Sequence, residues 1–164
     1  MRRGAYAYVA LVVQKRSLSS AERPGAPYKA EVTAIGGRTG FVQSSDSRLR
    51  LELCGPAVRA GVRNKGTNPE QLLAAAYASC FLSAIQQAAR EAQIAIPADA
   101  NVTARIEVGE GTDEPEAAGP IFTLMVDLPG IEPAQRQALV ERAHAISRCS
   151  RAMRGSGVVR TIAD

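Results

Sequence analysis

Residues 66–93 read GTNPEQLLAAAYASCFLSAIQQAAREAQ, and this stretch gives the clearest indication of the fold. Three signals of a helix start coincide at its beginning. Asn68 suits the capping position, Pro69 suits the first helical position because its missing N–H is not needed there, and Gln71 completes a capping box. No helix-breaking residue follows before Pro97. The sequence therefore predicts one long helix that begins near Pro69.

The predicted helix is apolar on nearly every side from Leu72 to Ile85. A helix with one apolar stripe needs one buried face, whereas an all-round apolar helix needs burial on most sides. The sequence therefore predicts that this helix lies deep in a core or against a partner molecule.

Short alternating segments flank the helix and predict strands. They are residues 28–35, 49–53, 102–108, 121–128 and 157–162, and a second helix is expected over about 133–146. A glycine-rich turn with the sequence GGRTG, residues 36–40, separates the first two strands. The order of strands, long helix, strands, helix and strand is typical of an α+β protein, and the alternating segments favour antiparallel sheets.

Size and composition indicate a single-domain globular protein. The chain has 164 residues, of which 46% are hydrophobic and 22% are charged, which is too apolar for a disordered chain. No apolar stretch approaches the roughly 20 residues that cross a bilayer, so no membrane partner is expected. Three cysteines are too few for a disulfide-stapled scaffold.

The charge distribution bears on a nucleic-acid partner. The net charge is +4, and the basic residues concentrate before residue 66. They are nevertheless scattered without a lysine or arginine run, and only four tyrosines and three phenylalanines are present to stack on bases. No nucleic-acid partner is therefore expected, and a solvated basic face is the better interpretation.

The first 25 residues are interpreted as an N-terminal extension. A basic start and an apolar run over residues 5–13 resemble a signal peptide, but the small-x-small cleavage site is missing, and Lys15 and Arg16 close the run early. We therefore predict an extension over residues 1–25, one domain over residues 26–164, and a cytoplasmic location.

The residues that could carry chemistry reduce to one cysteine. His144 is the single histidine and has no partner cluster in the sequence, and no metal-binding, phosphate-binding or serine-hydrolase motif occurs. No metal and no cofactor are therefore expected. Cys80 lies in the apolar part of the long helix, where a cysteine can also serve as a small hydrophobic residue of the core.

Two segments favour a chemical role for Cys80. The sequence GTNPEQLLAAAYASCF, residues 66–81, closely resembles the signature of the organic hydroperoxide resistance family, a branch of the superfamily of osmotically inducible protein C. The turn GGRTG, followed by Ser-Ser-Asp at residues 44–46, is similar to the arginine loop of that family. The resemblance extends from about Tyr28 to Ile162. It implies an α+β fold with antiparallel sheets around a long central helix, in an intertwined homodimer.

The resemblance also implies roles for residues of this chain. Cys80 corresponds to the peroxidatic cysteine, Arg38 to the cation that activates it, and Glu70 to the carboxylate that holds the arginine. Physical chemistry agrees, because burial alone raises the pKa of a thiol and a neighbouring guanidinium reverses that shift. The implied reaction reduces alkyl or fatty-acid hydroperoxides with electrons from a dithiol, dihydrolipoamide in the family, without metal or flavin.

The spacing of Glu70 and Cys80 predicts a second subunit. Ten residues of helix separate them, a rise of about 15 Å, so the two side chains do not meet within one straight helix. A two-fold dimer that crosses the long helix with its symmetry mate brings Glu70 of one subunit toward Cys80 of the other. The prediction is therefore a homodimer.

The second cysteine departs from the family pattern. The family has a Cys-Pro pair after its last helix, and here Ser147 and Arg148 occupy those positions. Cys149 lies two residues after Ser147. That shift is a rotation of about 200° on a helix, which turns the thiol away, whereas a loose connection leaves it free to reach Cys80. We expect Cys149 to be the resolving cysteine, with a pKa lowered by Arg148 and Arg151. The alternative is resolution by an external thiol.

The sequence thus predicts a thiol peroxidase with the site residues Cys80, Arg38, Glu70 and Cys149. The alternative is a non-catalytic redox sensor or ligand-binding module on the same fold. Cys54, at the end of a strand, has no counterpart in the family and is expected to be structural.

Overall fold

The computed structural model describes residues 28–55, 66–108, 119–155 and 157–163. The chain divides into two compact units, Met1–Pro69 and Glu70–Asp164. The N-terminal extension predicted over residues 1–25 lies outside the described residues, so its separation from the domain that follows stays a prediction.

The first unit contains a three-stranded antiparallel sheet. Its strands are β1 (Val32–Ile35), β2 (Phe41–Ser44) and β3 (Arg50–Glu52), in the order β1-β2-β3. A turn of 3-10 helix over Gly37–Thr39 connects β1 to β2 and carries Arg38. Glycine is required at position 40, because a Cβ atom on Gly40 would overlap the backbone of Ile35. The predicted glycine-rich turn is confirmed, and Arg38 is exposed on it.

The second unit begins with the long helix and continues with a sheet and two further helices. The elements are α1 (Pro69–Glu91), β4 (Asn101–Glu107), β5 (Ile121–Asp127), α2 (Pro133–Ile146), α3 (Arg148–Met153) and β6 (Val158–Ala163). The helix α1 begins at Pro69, as the capping signals predict. The mixture of helices and sheets confirms the α+β fold class.

The sheet of the second unit is mixed. Its order is β4-β5-β6, and β5 pairs antiparallel with β4 but parallel with β6. The parallel pair differs from the antiparallel arrangement that the sequence favoured. Its cause is the connection through α2 and α3, because a crossover of that length returns the chain to the end of the sheet where β5 began.

The core of the second unit is built on one face of α1. Tyr77, Phe81 and Ile85 recur at intervals of four residues and are fully buried. They belong to one cluster with side chains of the sheet and of α2, which include Phe122, Leu124, Leu128, Leu139, Val140 and Ala143. Burial of a large apolar side chain contributes about 1.5–3 kcal/mol. This face therefore holds α1 firmly against the sheet and α2.

The other face of α1 is open in the first half of the helix. Leu73 is 37% exposed, and Ala75, Ala76 and Ser79 are exposed as well. Burial of this face against a partner molecule stays a prediction.

By length and composition alone, α1 could also cross a membrane. The expectation that no stretch of the chain approaches that length is therefore wrong. Ser79 and Ser83 interrupt the apolar run without making the helix polar. The core helix of a globular protein can have the same length and composition. The buried face of Tyr77, Phe81 and Ile85 is that of a core helix.

Candidate active site

The sulfur of Cys80, in the middle of α1, is hydrogen-bonded by the first residues of α3. The backbone N–H groups of Arg148 and Cys149 and the thiol of Cys149 lie near enough to lower the pKa of Cys80 as hydrogen-bond donors, and Sγ of Cys149 also lies 4.0 Å from the carbonyl oxygen of Ala76. The hydroxyl of Ser147 lies 3.9 Å from the sulfur. We refer to residues 147–149, which supply the donor groups, as the 147–149 turn.

The start of α3 explains why these donors are available. Ser147 is the capping residue, with φ −62° and ψ 124°. Its hydroxyl accepts a hydrogen bond from the N–H of Ser150 at 3.2 Å. The first N–H groups of a helix have no partner within the helix. Those of Arg148 and Cys149 are therefore free to bond the sulfur of Cys80.

The extended backbone at Ser147 also decides how Cys149 is presented. The helix α2 ends at Ile146 and α3 begins at Arg148, so the segment is not one continuous helix. The two-residue shift from the family pattern therefore does not rotate the thiol away from Cys80. The structure brings Cys80 and Cys149 together as free cysteines, with Ser147 beside them.

The pKa of Cys80 lies below its ordinary value. Burial raises this pKa, but hydrogen bonds from Cys149, from the Ser147 hydroxyl and from the Arg148 N–H outweigh burial because they stabilise the thiolate. Sequence reasoning held that a guanidinium was needed to reverse the effect of burial. In the structure, donors of the second unit already do so.

Cys149 has the opposite character. Its pKa is raised to about 11, first by burial and then by its hydrogen bond to Cys80 and the negative charge there. The expectation that Arg148 and Arg151 lower this pKa is wrong, since both side chains are exposed and water and salt screen their charges. Cys80 is therefore the more acidic thiol of the pair, and Cys149 is the less acidic one.

A chain of hydrogen bonds joins four side chains behind the 147–149 turn. We call it the buried polar chain after its first two members, Tyr77 and Ser150, which are buried; the next two in order, His144 and Thr161, are half-buried. The hydroxyl of Ser150 lies 3.2 Å from that of Tyr77 and 3.2 Å from Nδ1 of His144. Nε2 of His144 lies 2.8 Å from the hydroxyl of Thr161. The buried polar chain thereby connects the described helices α1, α2 and α3 to β6.

Sequence reasoning missed the buried polar chain, because it treated His144 as a histidine without partners. The partners of His144 come from α3 and β6, and no local pattern indicates them. The available signal was Tyr77, three residues before Cys80, since positions three apart share one face of a helix. Burial, followed by the charge of Arg154, lowers the pKa of His144, so its ring is neutral at neutral pH.

The other two predicted site residues lie on different elements. Arg38 is on the exposed turn of the first unit, and Glu70 is the second residue of α1. The uninterrupted helix between Glu70 and Cys80 separates them by about 15 Å along its axis, as expected. The roles of Arg38 and Glu70 stay predictions.

Cys54, in the first unit, donates its thiol hydrogen bond to the carbonyl of Gly66 at 2.9 Å. Among the residues that the structure describes, no three histidine, cysteine, aspartate or glutamate side chains form a group that could hold a metal ion.

Comparison with known proteins identifies the family of this chain. The family described as OsmC-like protein matches residues 62–162. The organic hydroperoxide resistance protein of Xanthomonas axonopodis pv. citri (strain 306) is 36% identical over 129 residues, which cover 79% of this chain and 89% of that protein. The organic hydroperoxide resistance protein OhrA of Bacillus subtilis (strain 168) is 39% identical over 131 residues, which cover 79% and 90%.

A solved structure extends the agreement to the fold. The crystal structure of an organic hydroperoxide resistance protein from Legionella pneumophila has a TM-score of 0.74 at 32% sequence identity, and covers 85% of this chain and 98% of that one. Sequence and fold therefore match over most of both chains. The chain belongs to the OsmC-like protein family, in its organic hydroperoxide resistance branch.

Proposed function

We propose that this chain is a thiol peroxidase that reduces organic hydroperoxides and serves in resistance to them. The observation that carries the proposal is the pair of Cys80 and Cys149, in which hydrogen bonds from the 147–149 turn favour the thiolate of Cys80. The names of the relatives support the substrate class. Because the reaction cycle needs both thiols reduced, the proposed location is the cytoplasm.

In the first step the thiolate of Cys80 attacks the terminal oxygen of the hydroperoxide. A thiolate is needed because the thiol is a far weaker nucleophile. The O–O bond breaks, and the terminal hydroxyl stays on sulfur as a sulfenic acid. The alkoxide leaves and takes up a proton to become the alcohol.

In the second step Cys149 attacks the sulfur of the sulfenic acid. A disulfide forms, and the thiol proton leaves with the hydroxyl as water. Oxidation of Cys80 removes its negative charge, which is one cause of the raised pKa of Cys149, so the oxidised site favours this attack. An external dithiol of the dihydrolipoamide type then reduces the disulfide and is itself oxidised to a disulfide.

Arg38 and Glu70 complete the proposed site. The guanidinium of Arg38 adds a positive charge that favours the thiolate of Cys80, and Glu70 orients the guanidinium through two hydrogen bonds. About 15 Å of helix separates Glu70 from Cys80 in one chain. The carboxylate that serves a given Cys80 is therefore Glu70 of the partner subunit in a homodimer, and the exposed face around Leu73 is available for that contact.

Sedimentation velocity tests the homodimer. The expected species has twice the 17.3 kDa of the chain at the concentrations used for activity. Leu73→Glu places a charge on the exposed face and is expected to give inactive monomers, whereas Gln86→Glu, at another exposed position of α1, leaves the dimer intact. A fully active wild-type monomer contradicts the shared site.

Turnover of cumene hydroperoxide with excess dihydrolipoamide tests the activity. We expect many equivalents of peroxide to be consumed per chain by the wild type and none by Cys80→Ser, because a serine hydroxyl is not ionised near neutral pH. Cys54→Ser is the matched control and keeps wild-type turnover, since its thiol bonds a backbone carbonyl of the first unit. A wild type that stops after one equivalent is a redox sensor instead of an enzyme.

A further inference from the structure

Ser150 is the junction of the buried polar chain. It is 4% exposed, and its N–H donates to the hydroxyl of Ser147 in the 147–149 turn. Its own hydroxyl contacts Tyr77 of α1 and His144 of α2. All three helices of the second unit are thus linked at one hydroxyl group.

The contacts within the buried polar chain can be made in either direction. When Nδ1 of His144 accepts from Ser150, Nε2 donates to Thr161, and Ser150 in turn accepts from Tyr77. In the other tautomer every donor and acceptor is exchanged. Each contact therefore has one donor and one acceptor in both arrangements. Loss of the Ser150 hydroxyl would leave the fully buried hydroxyl of Tyr77 and Nδ1 of His144 without this partner.

The helix α3 needs such an external hold. It has six residues, and so short a helix is not stable by itself in water. Two side chains of α1 reach it, Cys80 at its first turn and Tyr77 at Ser150. Because Tyr77 and Cys80 are three residues apart on one helix face, they fix α3 at two neighbouring points.

We propose that the buried polar chain positions the 147–149 turn around the sulfur of Cys80, with Ser150 as the positioning residue. This inference rests on the proposed function and adds a role for side chains that touch neither sulfur nor peroxide. Hydrogen bonds weaken steeply with poor distance and angle. A displaced α3 therefore weakens the N–H donors that favour the thiolate. It also moves Cys149 relative to Cys80, and a disulfide forms only within narrow limits of distance and angle.

Two variants and one control test the inference. Ser150→Ala removes the junction, and Tyr77→Phe removes one hydroxyl while keeping the ring that packs on Phe81 and Phe122. Ser83→Ala is the matched control, because its hydroxyl bonds only the carbonyl of Ser79 on the exposed side of α1. All are measured by the pH dependence of iodoacetamide alkylation at Cys80, followed by mass spectrometry, and by the rate of disulfide formation after one equivalent of cumene hydroperoxide.

We expect the alkylation midpoint of Cys80 to rise by about 0.5–1 pH unit in Ser150→Ala, the size of a lost or weakened hydrogen bond to a charged group. Disulfide formation slows by about three- to tenfold. Tyr77→Phe changes the midpoint and the disulfide rate in the same direction but by less, because the contact between Ser150 and His144 remains. Ser83→Ala matches the wild type in both measurements. If Ser150→Ala does not fold, Tyr77→Phe decides the matter.

Unchanged midpoints and disulfide rates in folded variants would overturn the inference, even if the variants melt at lower temperature. The alkylation measurement uses no peroxide. A wild type without peroxidase activity therefore refutes the proposed function alone, whereas an active wild type with unmoved midpoints in the variants refutes the positioning role alone.

Discussion

Two turns of this chain offer the sulfur of Cys80 different kinds of stabilisation in the proposed reaction. The glycine-rich turn, residues 36–40, carries the guanidinium of Arg38, a full charge at the end of a long side chain. The 147–149 turn instead presents backbone N–H groups at the start of α3. A guanidinium on an exposed turn loses strength to water and salt, whereas backbone donors act at contact and cannot swing away.

Backbone donors of this kind can favour the thiolate of Cys80 without a motif of charged residues. The family resemblance implies proline where this chain has Arg148, and proline has no N–H to donate. The exchange therefore supplies Cys80 with a donor through the backbone, whatever the side chain does. If both turns act on the same sulfur, their contributions are separable by substitution.

Removal of both contributions has the largest expected effect. In the double variant Arg38→Ala, Arg148→Pro, the pKa of Cys80 rises by about two units, and the peroxidase rate at neutral pH falls roughly 100-fold. Alkylation midpoints and turnover of cumene hydroperoxide measure both. Independent contributions add. If the pKa of Cys80 and the rate in the double variant equal those of the more impaired single variant, only one of the two turns acts on the sulfur.

Arg38→Ala alone is the next largest change. Loss of the cation raises the pKa of Cys80 by about one unit and slows the reaction about tenfold. Glu70→Ala lowers the rate by less, because the guanidinium remains but is no longer held. Arg48→Ala is the matched control, since Arg48 is also an exposed arginine of the first unit, where it pairs with Asp46. An alkylation midpoint that is the same in Arg38→Ala and wild type refutes the role of Arg38.

Arg148→Pro isolates the backbone donor. The φ and ψ of Ser147 suit a residue before proline, and proline is favoured at the first helical position. We therefore expect unchanged thermal stability but a Cys80 pKa higher by about half a unit to one unit. Arg148→Ala keeps the N–H and is expected to leave the midpoint unchanged. Equal shifts of the Cys80 midpoint in Arg148→Pro and Arg148→Ala assign the effect to the guanidinium of Arg148 instead of its backbone N–H.

The smallest change concerns Cys149 in the reduced protein. Its pKa of about 11 depends partly on the charge of Cys80. In Cys80→Ser that charge is absent, so the pKa of Cys149 falls and its alkylation begins at lower pH than in the wild type. The measurement is the alkylation rate of the peptide that contains Cys149 between about pH 7 and 11. Identical profiles in the two proteins contradict the pairing of the two sulfurs.

The regular parts of the fold follow from local sequence signals. Asn68 and Pro69 predict the start of α1, and the alternating segments predict five of the six described strands within a few residues of their observed bounds, but neither β2 (Phe41–Ser44) nor the short helix α3 was predicted. These signals succeed because capping and alternation depend on neighbours along the chain. The parallel pairing of β6 depends on the direction in which a crossover returns, which no local pattern records.

The site is predictable only where a motif carries it. Cys80 is identified by the segment around it, and the prediction that Cys149 reaches it depended on a conformation that the sequence left open. The cap at Ser147 provides that conformation. The contact between Tyr77 and Ser150 joins residues 73 positions apart. Such a contact follows from packing of α1 against α3, so the local sequence around neither residue predicts it.

The central claim is that Cys80 and Cys149 form one redox pair. Mass spectrometry of the reduced chain after one equivalent of cumene hydroperoxide tests it most directly. We expect the loss of two hydrogen atoms per chain and one cross-linked peptide pair, Cys80 with Cys149, while Cys54 stays alkylatable. A stable sulfenic acid on Cys80 with Cys149 still open to alkylation would contradict it and assign resolution to an external thiol.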